Sequence, residues 1–280
     1  MMSRTRRRQL NRAGRAVLLC LWAAFCLLPI LWFLTVAFRA RTEIGVSPPV
    51  YWPHFTLKPW HELWNAWPVG DYLRNTGIAV IGSVLLDLVL GIPAAYALSR
   101  FRFRLRDDLG FYILSTRMIV PAAVAIPIFA LFKNMSLLDT PWALMLIFAA
   151  INLSIVTWII RAYMMEIPVE IEHAAMTDGA GRMTILFQLM VPLAMPGIVT
   201  AATIAMIFGV NEFLFTLLIS YTPSAQTMSV GLAMFTGGSS GIIFNLIALM
   251  SFILFVPLCI IVFMIQGHLS RGLSMGAVKG

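Results

Sequence analysis

The sequence predicts an all-α, polytopic membrane protein with six transmembrane helices. Three observations predict it. Of the 280 residues, 60% are hydrophobic and only 11% charged, a balance that soluble globular chains do not show. Six apolar runs each reach the length of about 20 residues that a helix needs to cross a bilayer. The Lys and Arg residues sit at the ends of those runs, not in a patch suited to nucleic acid.

The first element is a basic leader, residues 1–15, with RTRRRQLNRAGR at its core. The first span follows at about 16–38. Its apolar run is longer than the core of a secretory signal, and charged RART follows it in place of a clean small-residue cleavage site, so a retained span is expected. Arg39–Asp71 is polar and rich in Pro and Trp, which suits a membrane–water interface. The second span is read at 72–98 and closes on the basic SRFRFRLR. The third is read at 109–132, and Lys133–Pro141 is a short turn. The fourth is read at 142–164, and a cytoplasmic loop of about 165–190 comes next. The fifth is read at 191–220, a Gly/Ser-rich loop at Tyr221–Gly241, and the sixth at 244–265. Residues 16–280 thus form one membrane domain.

Orientation follows from the basic residues. With the N-terminus inside, fourteen of the twenty Lys and Arg fall on inner segments and five on outer ones, leaving Arg117 within a span. That bias places both termini and the 165–190 loop in the cytoplasm. The three cysteines, Cys20, Cys26 and Cys259, lie inside apolar runs, with no disulfide framework and no metal-ligand spacing. No G-x-x-x-x-G-K-[ST] loop is present, so the chain is not expected to hydrolyse ATP itself.

The loop Glu170–Pro196, EIEHAAMTDGAGRMTILFQLMVPLAMP, is too patterned to be a mere connector. Glu170, Glu172, Ala174 and Ala175 open a helical run. Asp178-Gly179 ends it, since Gly takes the left-handed geometry of a helix terminus. A second amphipathic run carries Met183, Leu186, Phe187 and Met190 on one predicted face. Pro192 and Pro196 mark entry to the next span. The paired alanines would let another surface approach the backbone closely. The residues alone leave two readings open: a docking knob for a partner, or an amphipathic helix lying on lipid.

Polar groups at membrane depth are costly and tend to face protein or water. Asp87 falls near the middle of the second span and Arg117 about two turns into the third. Their depths differ by roughly 5 Å at ~1.5 Å per residue, so an intramembrane ion pair between them is expected. Snorkelling of Arg117 to the inner interface is the rival reading. Asn211 and Glu212, followed by Phe213, interrupt the fifth run. With Asn152 in the fourth they are candidates for a substrate pathway, or for hydrogen bonds that fix helix packing. Pro93, Pro121, Pro127, Pro192, Pro196 and Pro257 fall in or near spans and bend helices.

His173-Ala174-Ala175-Met176-Thr177-Asp178-Gly179 resembles the EAA loop of permease subunits of binding-protein-dependent ABC importers, with His173 in place of the motif's Glu and Glu172 just before it. Five other stretches resemble the sugar-importing permeases of the MalG type. They are Thr42-Glu43-Ile44 with Pro48-Pro49 and Trp52-Pro53, Ala94–Phe101, Asn211–Phe215, Val230-Gly231-Leu232 and the tail Gly272–Gly280. Val210 departs from the Trp usual in that group, as does the charged pair Asp87 and Arg117.

The resemblance implies a type I ABC importer permease fold and a permease subunit of an ATP-driven sugar uptake system. It implies that Glu170, Glu172, His173, Ala174, Ala175, Met176, Asp178, Gly179 and Ala180 engage a groove on a cytoplasmic ATPase, with Glu172 or His173 making the polar contact. The implied partners are a second, related permease subunit, two copies of the ATPase, and an extracytoplasmic solute-binding protein or lipoprotein. ATP and Mg would sit on the ATPase, and no cofactor or metal on this chain. Lipid surrounds it, and a bacterial inner membrane is the implied location. The alternatives are an ABC permease for a non-sugar solute such as glycerol phosphate, and a stand-alone secondary carrier. The second would need coupling-ion carboxylates and an inverted repeat, and no convincing repeat is visible.

Overall fold

The fold is described from a computed structural model covering residues 4–47, 50–51, 53–236 and 243–276, with side chains from Gly14 to Met264. Pro48, Pro49, Trp52, the end of the Gly/Ser-rich loop and the last four residues of the tail lie outside the described residues. Among the described residues there is no strand, only an isolated antiparallel bridge between Arg39 and Phe55. Among the described residues, four helices are long and apolar enough to cross a membrane, or six if each of two bent pairs counts as one span. The chain divides into two units.

The first unit holds Met1–Trp67 and Phe235–Ile253. Helix α1, Arg4–Ala37, runs straight through the basic leader into the first apolar run, so the two form one element. Past its end, Arg39 donates from Nη1 to the Val50 carbonyl at 3.2 Å and from Nη2 to Thr35 Oγ1 at 3.2 Å, and lies 4.4 Å over the Trp32 ring. A short 3-10 turn, Arg41–Glu43, follows, and then α2, Lys58–Ala66. Glu43 clasps His54 through the backbone N–H at 3.1 Å and through Nδ1 at 2.8 Å.

The second unit holds Pro68–Met234 and the chain from Leu254 onward. Its spine is α3, Val69–Arg100, packed along α6, Pro141–Glu166. Glycines set the closeness of that seam: a Cβ on Gly82 would meet Met145 Sδ at 2.6 Å, and one on Gly91 would meet Val156 Cγ1 at 3.2 Å. Between them come α4, Arg106–Ser115, and α5, Pro121–Asn134. After α6 come the short α7, Val169–Thr177, and a continuous helical run, Arg182–Leu193, made of α8 (Arg182–Thr184), a π turn (Ile185–Met190) and α9 (Val191–Leu193). Then follow α10, Met195–Val210, α11, Leu214–Ile219, and α12, Met228–Ala233. The last helix, α13, Phe244–Gly276, is shared between the two units.

Two of the expected spans are broken, and the prolines explain where. The stretch read as one span at 109–132 is α4 and a 3-10 turn, Thr116–Met118, followed by α5 at 95° to them. Ile119 and Val120 are extended, with ψ of 126° and 119°, because Pro121 bars the residue before it from the helical region. Arg182–Leu193 meets Met195–Val210 at 75°. There Pro192 removes a ladder donor beside the π turn, and Pro196 opens the next helix. The second run does not present the expected stripe. Leu186 and Met190 are buried, while Met183 and Phe187 are 71% and 56% exposed. The buried face, Ile185, Leu186 and Met190, packs with Tyr96, Ile160 and Met164 in one cluster of the core.

A second cluster gathers Val80, Phe132, Phe148, Phe215 and Ile219. Above it the α5–α6 turn takes two non-glycine residues to positive φ, Ser136 at 55° and Asp139 at 57°. Asp139 is the reason the second is held. Its carboxylate accepts from the N–H groups of Tyr221 at 2.8 Å and Thr222 at 3.0 Å and from the Thr222 hydroxyl at 2.6 Å, while its own N–H reaches the Ile219 carbonyl at 2.9 Å.

Candidate functional site

The first candidate is α7 and its exit. The helix ends in a Schellman cap. Gly179, at φ +87°, donates to the Met176 carbonyl at 3.0 Å, and Ala180 donates to the Ala175 carbonyl at 2.9 Å. Ala175 and Ala180, the two residues such a cap brings together, both pack on the core cluster that holds Tyr96 and Met164. The spacing of alanine and glycine in the sequence is therefore the spacing of this cap. Gly179 is needed because a side chain at that φ is strained, while Ala175 packs on the core.

The two alanines divide their work. Ala174 is exposed, while Ala175 and Met176 are half-buried. Glu170, His173, Asp178 and Gly179 are also exposed. Glu172 is not: it is 1% exposed. Its Oε1 accepts from Arg100 Nε in an ion pair, and its Oε2 accepts from the Tyr96 hydroxyl at 2.9 Å. Arg100 also donates from Nη2 to the Ile167 carbonyl at 2.7 Å. Of the two residues implied for the polar contact, His173 is exposed and Glu172 faces inward. Glu172 is an internal tie from α7 to the end of α3, and the polar groups left on the outer face are Glu170, His173, Thr177 and Asp178. A buried pair of this kind is costly to break, about 3–5 kcal/mol when one partner is removed.

The second candidate is a cavity of about 660 Å³ in the second unit, lined by Arg117, Asn152, Asn211 and Glu212 and walled by Phe208 and Phe215 among others. Phe213 does not line it. Arg117 lies on the 3-10 turn between α4 and α5, so the Pro121 break is what brings it inward. Its Nη1 donates to the Ile151 carbonyl at 3.1 Å and to Asn152 Oδ1 at 3.3 Å, and its guanidinium lies 4.3 Å over the Phe208 ring. Asn152, 2% exposed, donates in turn to the Ala205 carbonyl at 3.5 Å. At the gap between α10 and α11, Glu212 Oε1 accepts from the Phe215 N–H at 3.0 Å and so caps α11, while Asn211 donates to the Ile207 carbonyl at 2.8 Å. Irregular backbone at membrane depth is tolerated where it lines such a cavity.

Asp87 and Arg117 do not pair, contrary to the sequence expectation. Asp87 is fully buried on α3, with no partner on either carboxylate oxygen among the described residues, and the groups that hold Arg117 are neutral. Similar depth in two spans did not bring them together, because the break before Pro121 turns Arg117 toward α6 and α10. An arginine at mid-membrane costs about 2.5–3.5 kcal/mol on insertion scales. Sequence reading missed the role of Arg100, which looked like one more basic residue at a span exit. Among the described residues no group of three or more His, Cys, Asp or Glu is placed to hold a metal ion.

Residues 87–275 match the family of binding-protein-dependent transport system inner membrane components. The chain belongs to this family. The permease is 31% identical to the trehalose transport system permease protein SugB of Mycobacterium tuberculosis (strain CDC 1551 / Oshkosh), over 95% of this chain and 97% of that one. It is 28% identical to the sulfoquinovosyl glycerol transport system permease protein SmoH of Agrobacterium fabrum (strain C58 / ATCC 33970), over 91% and 89%. Among solved structures it resembles a chain of a bacterial ABC transporter involved in import of the acidic polysaccharide alginate. That match has a TM-score of 0.74 at 22% identity and covers 95% of this chain and 98% of that one, so it shows a shared fold. The permease is thus a transport component with the all-α type I importer architecture.

Proposed function

We propose that this chain forms half of the translocation pathway of an ATP-driven sugar importer and takes its drive from a separate ATPase through α7. The observation that carries the coupling reading is the pairing of an exposed face, Glu170, His173, Ala174, Asp178 and Gly179, with the buried Glu172–Arg100 tie beneath it. The relatives named for trehalose and sulfoquinovosyl glycerol support a sugar as the substrate class. Both termini and α7 lie in the cytoplasm, as the basic residues of the inner segments favour. A second, related permease completes the pathway, two ATPase copies bind below, and an external binding protein delivers the sugar. ATP and Mg belong to the ATPase.

ATP binding favours one of two global states by a few kcal/mol, and the ATPase passes that preference to α7. Because Glu172 holds Arg100, a shift of α7 is a shift of the end of α3. The two broken spans give the pathway the bends that opening to alternate sides needs. A cysteine in place of Ala174 tests the contact: in the assembled importer it should cross-link to a cysteine in the ATPase groove in an ATP-dependent manner. Absence of that cross-link in a complex that still transports would remove α7 from the coupling route.

A further inference from the structure

We propose that the cavity takes a sugar carrying an anionic group, and that Arg117 grips that group. The inference rests on the sugar-import reading above and names the substrate class more closely. Among the described residues Arg117 meets only neutral groups: a backbone carbonyl, an amide oxygen and the face of an aromatic ring. Among the described residues no carboxylate lies within ion-pair distance of it. Both of its hydrogen bonds leave from Nη1, so among the described residues Nε and Nη2 have no partner while the side chain lines the cavity. What remains is one edge of the guanidinium fork, the arrangement that takes a carboxylate, sulfonate or phosphate through two parallel hydrogen bonds.

The fork is also held in place. Asn152 and Ile151 fix it from α6 and Phe208 from α10, so little freedom is lost when an anion arrives. Glu212 lines the same cavity but does not neutralise Arg117, since no ion pair joins them and one of its oxygens is held by the Phe215 N–H. With Asn211 it supplies acceptors and donors for sugar hydroxyls. The cavity volume, about 660 Å³, lies within the range of small-molecule sites, roughly 300–1,000 Å³.

The test uses the whole importer, with its partner permease, ATPase and binding protein, in proteoliposomes. Uptake per assembled complex is measured for maltose, digalacturonate, glucose 6-phosphate, a 6-sulfonated glucoside and glycerol 3-phosphate. The unaltered importer should take up at least one of the three anionic sugars with a KM at least tenfold below that for maltose. Arg117→Gln should lower the ratio of anionic-sugar to maltose uptake at least tenfold, and Arg117→Lys should restore part of it. Which anionic arm responds identifies the carboxylate, sulfonate or phosphate. Uptake of maltose with refusal of all three anionic sugars would overturn the anion site and leave the sugar reading intact. An equal loss of both sugars in Arg117→Gln would reduce Arg117 to a packing residue and overturn it too. Uptake of glycerol 3-phosphate alone, lost in Arg117→Gln, would keep the anion site and overturn the sugar reading. Uptake of none of the five would overturn both.

Discussion

Arg100, in the last turn of α3, holds Glu172 of α7 in a buried ion pair, with the Tyr96 hydroxyl on the second carboxylate oxygen. The two residues are 72 positions apart. Glu172→Ala would leave a guanidinium buried without a counter-charge, which costs about 3–5 kcal/mol. The expected outcome is an inserted subunit whose 167–180 segment exchanges amide hydrogens freely and whose uptake is lost. Hydrogen exchange of the assembled complex reads the first, and sugar uptake the second. Unchanged protection of the segment would show that the pair does not hold α7.

At Gly179 the backbone sits at φ +87°. Gly179→Ala should cost about 1–2 kcal/mol. Gly179→Pro should cost more, because proline cannot reach that φ and also deletes the donor to the Met176 carbonyl. Both variants should insert normally, with uptake reduced in the first and abolished in the second. Equal, near-normal uptake would mean the cap is dispensable.

Substitutions at the two alanines should separate packing from docking. Ala175 is half-buried against the core, so Ala175→Leu should lower the unfolding temperature of the isolated subunit, at a cost of about 1–3 kcal/mol. Ala174 is exposed, so Ala174→Leu should leave that temperature unchanged while weakening capture of the ATPase in pull-down. His173, also exposed, should accept Glu without loss of uptake or ATPase stimulation.

Asp139 gives a pH dependence on the opposite end of the second unit. Burial pushes its carboxyl up, but the Thr222 hydroxyl and the N–H groups of Thr222 and Tyr221 more than offset this and hold it below its usual value of 3.8. A depressed carboxyl contributes stability that is fully present above its unfolded value and is lost as pH falls through the folded one. Protection of the Tyr221 and Thr222 amides should therefore persist from neutral pH down to about 4 and then fall. Asp139→Ala should remove it at all pH values, for about 1–2 kcal/mol. Protection that is flat through acid would rule this anchor out.

Ser136 carries the other positive φ, 55°, at the exit of α5. Ser136→Gly should relieve the strain of a side chain there and raise stability by roughly 1 kcal/mol, readable as a higher unfolding temperature. A decrease would mean that the Ser136 side chain contributes more than its strain costs.

The helical class and the capped loop were legible in the sequence because both are written locally. Apolar runs announce helices in a membrane chain, and Asp178-Gly179 after a short helical run announces a cap. The inward face of Glu172 was not legible, since nothing in EIEHAA tells which acidic residue meets an arginine 72 residues earlier. The break at Ile119-Val120 was half-legible. Pro121 stood in plain view, but a run of apolar residues reads equally well as a straight span. That one misreading also produced the supposed Asp87–Arg117 pair. Asn152, Asn211 and Glu212 line the cavity, while Phe213, the next residue after Glu212, does not.

Helix α3 has 32 residues and so measures about 48 Å from Val69 to Arg100. Gly82 and Gly91 press it flush against α6 near the middle of that length. A rod seated on such a fulcrum rocks more readily than it slides. A nudge delivered at the Arg100 end would reappear, reversed in direction, at the far tip beside Asn75, whose amide holds the Pro223 and Gln226 carbonyls at 2.9 and 3.0 Å. The Arg100 tie and the Asn75 latch would then move as two ends of a single see-saw.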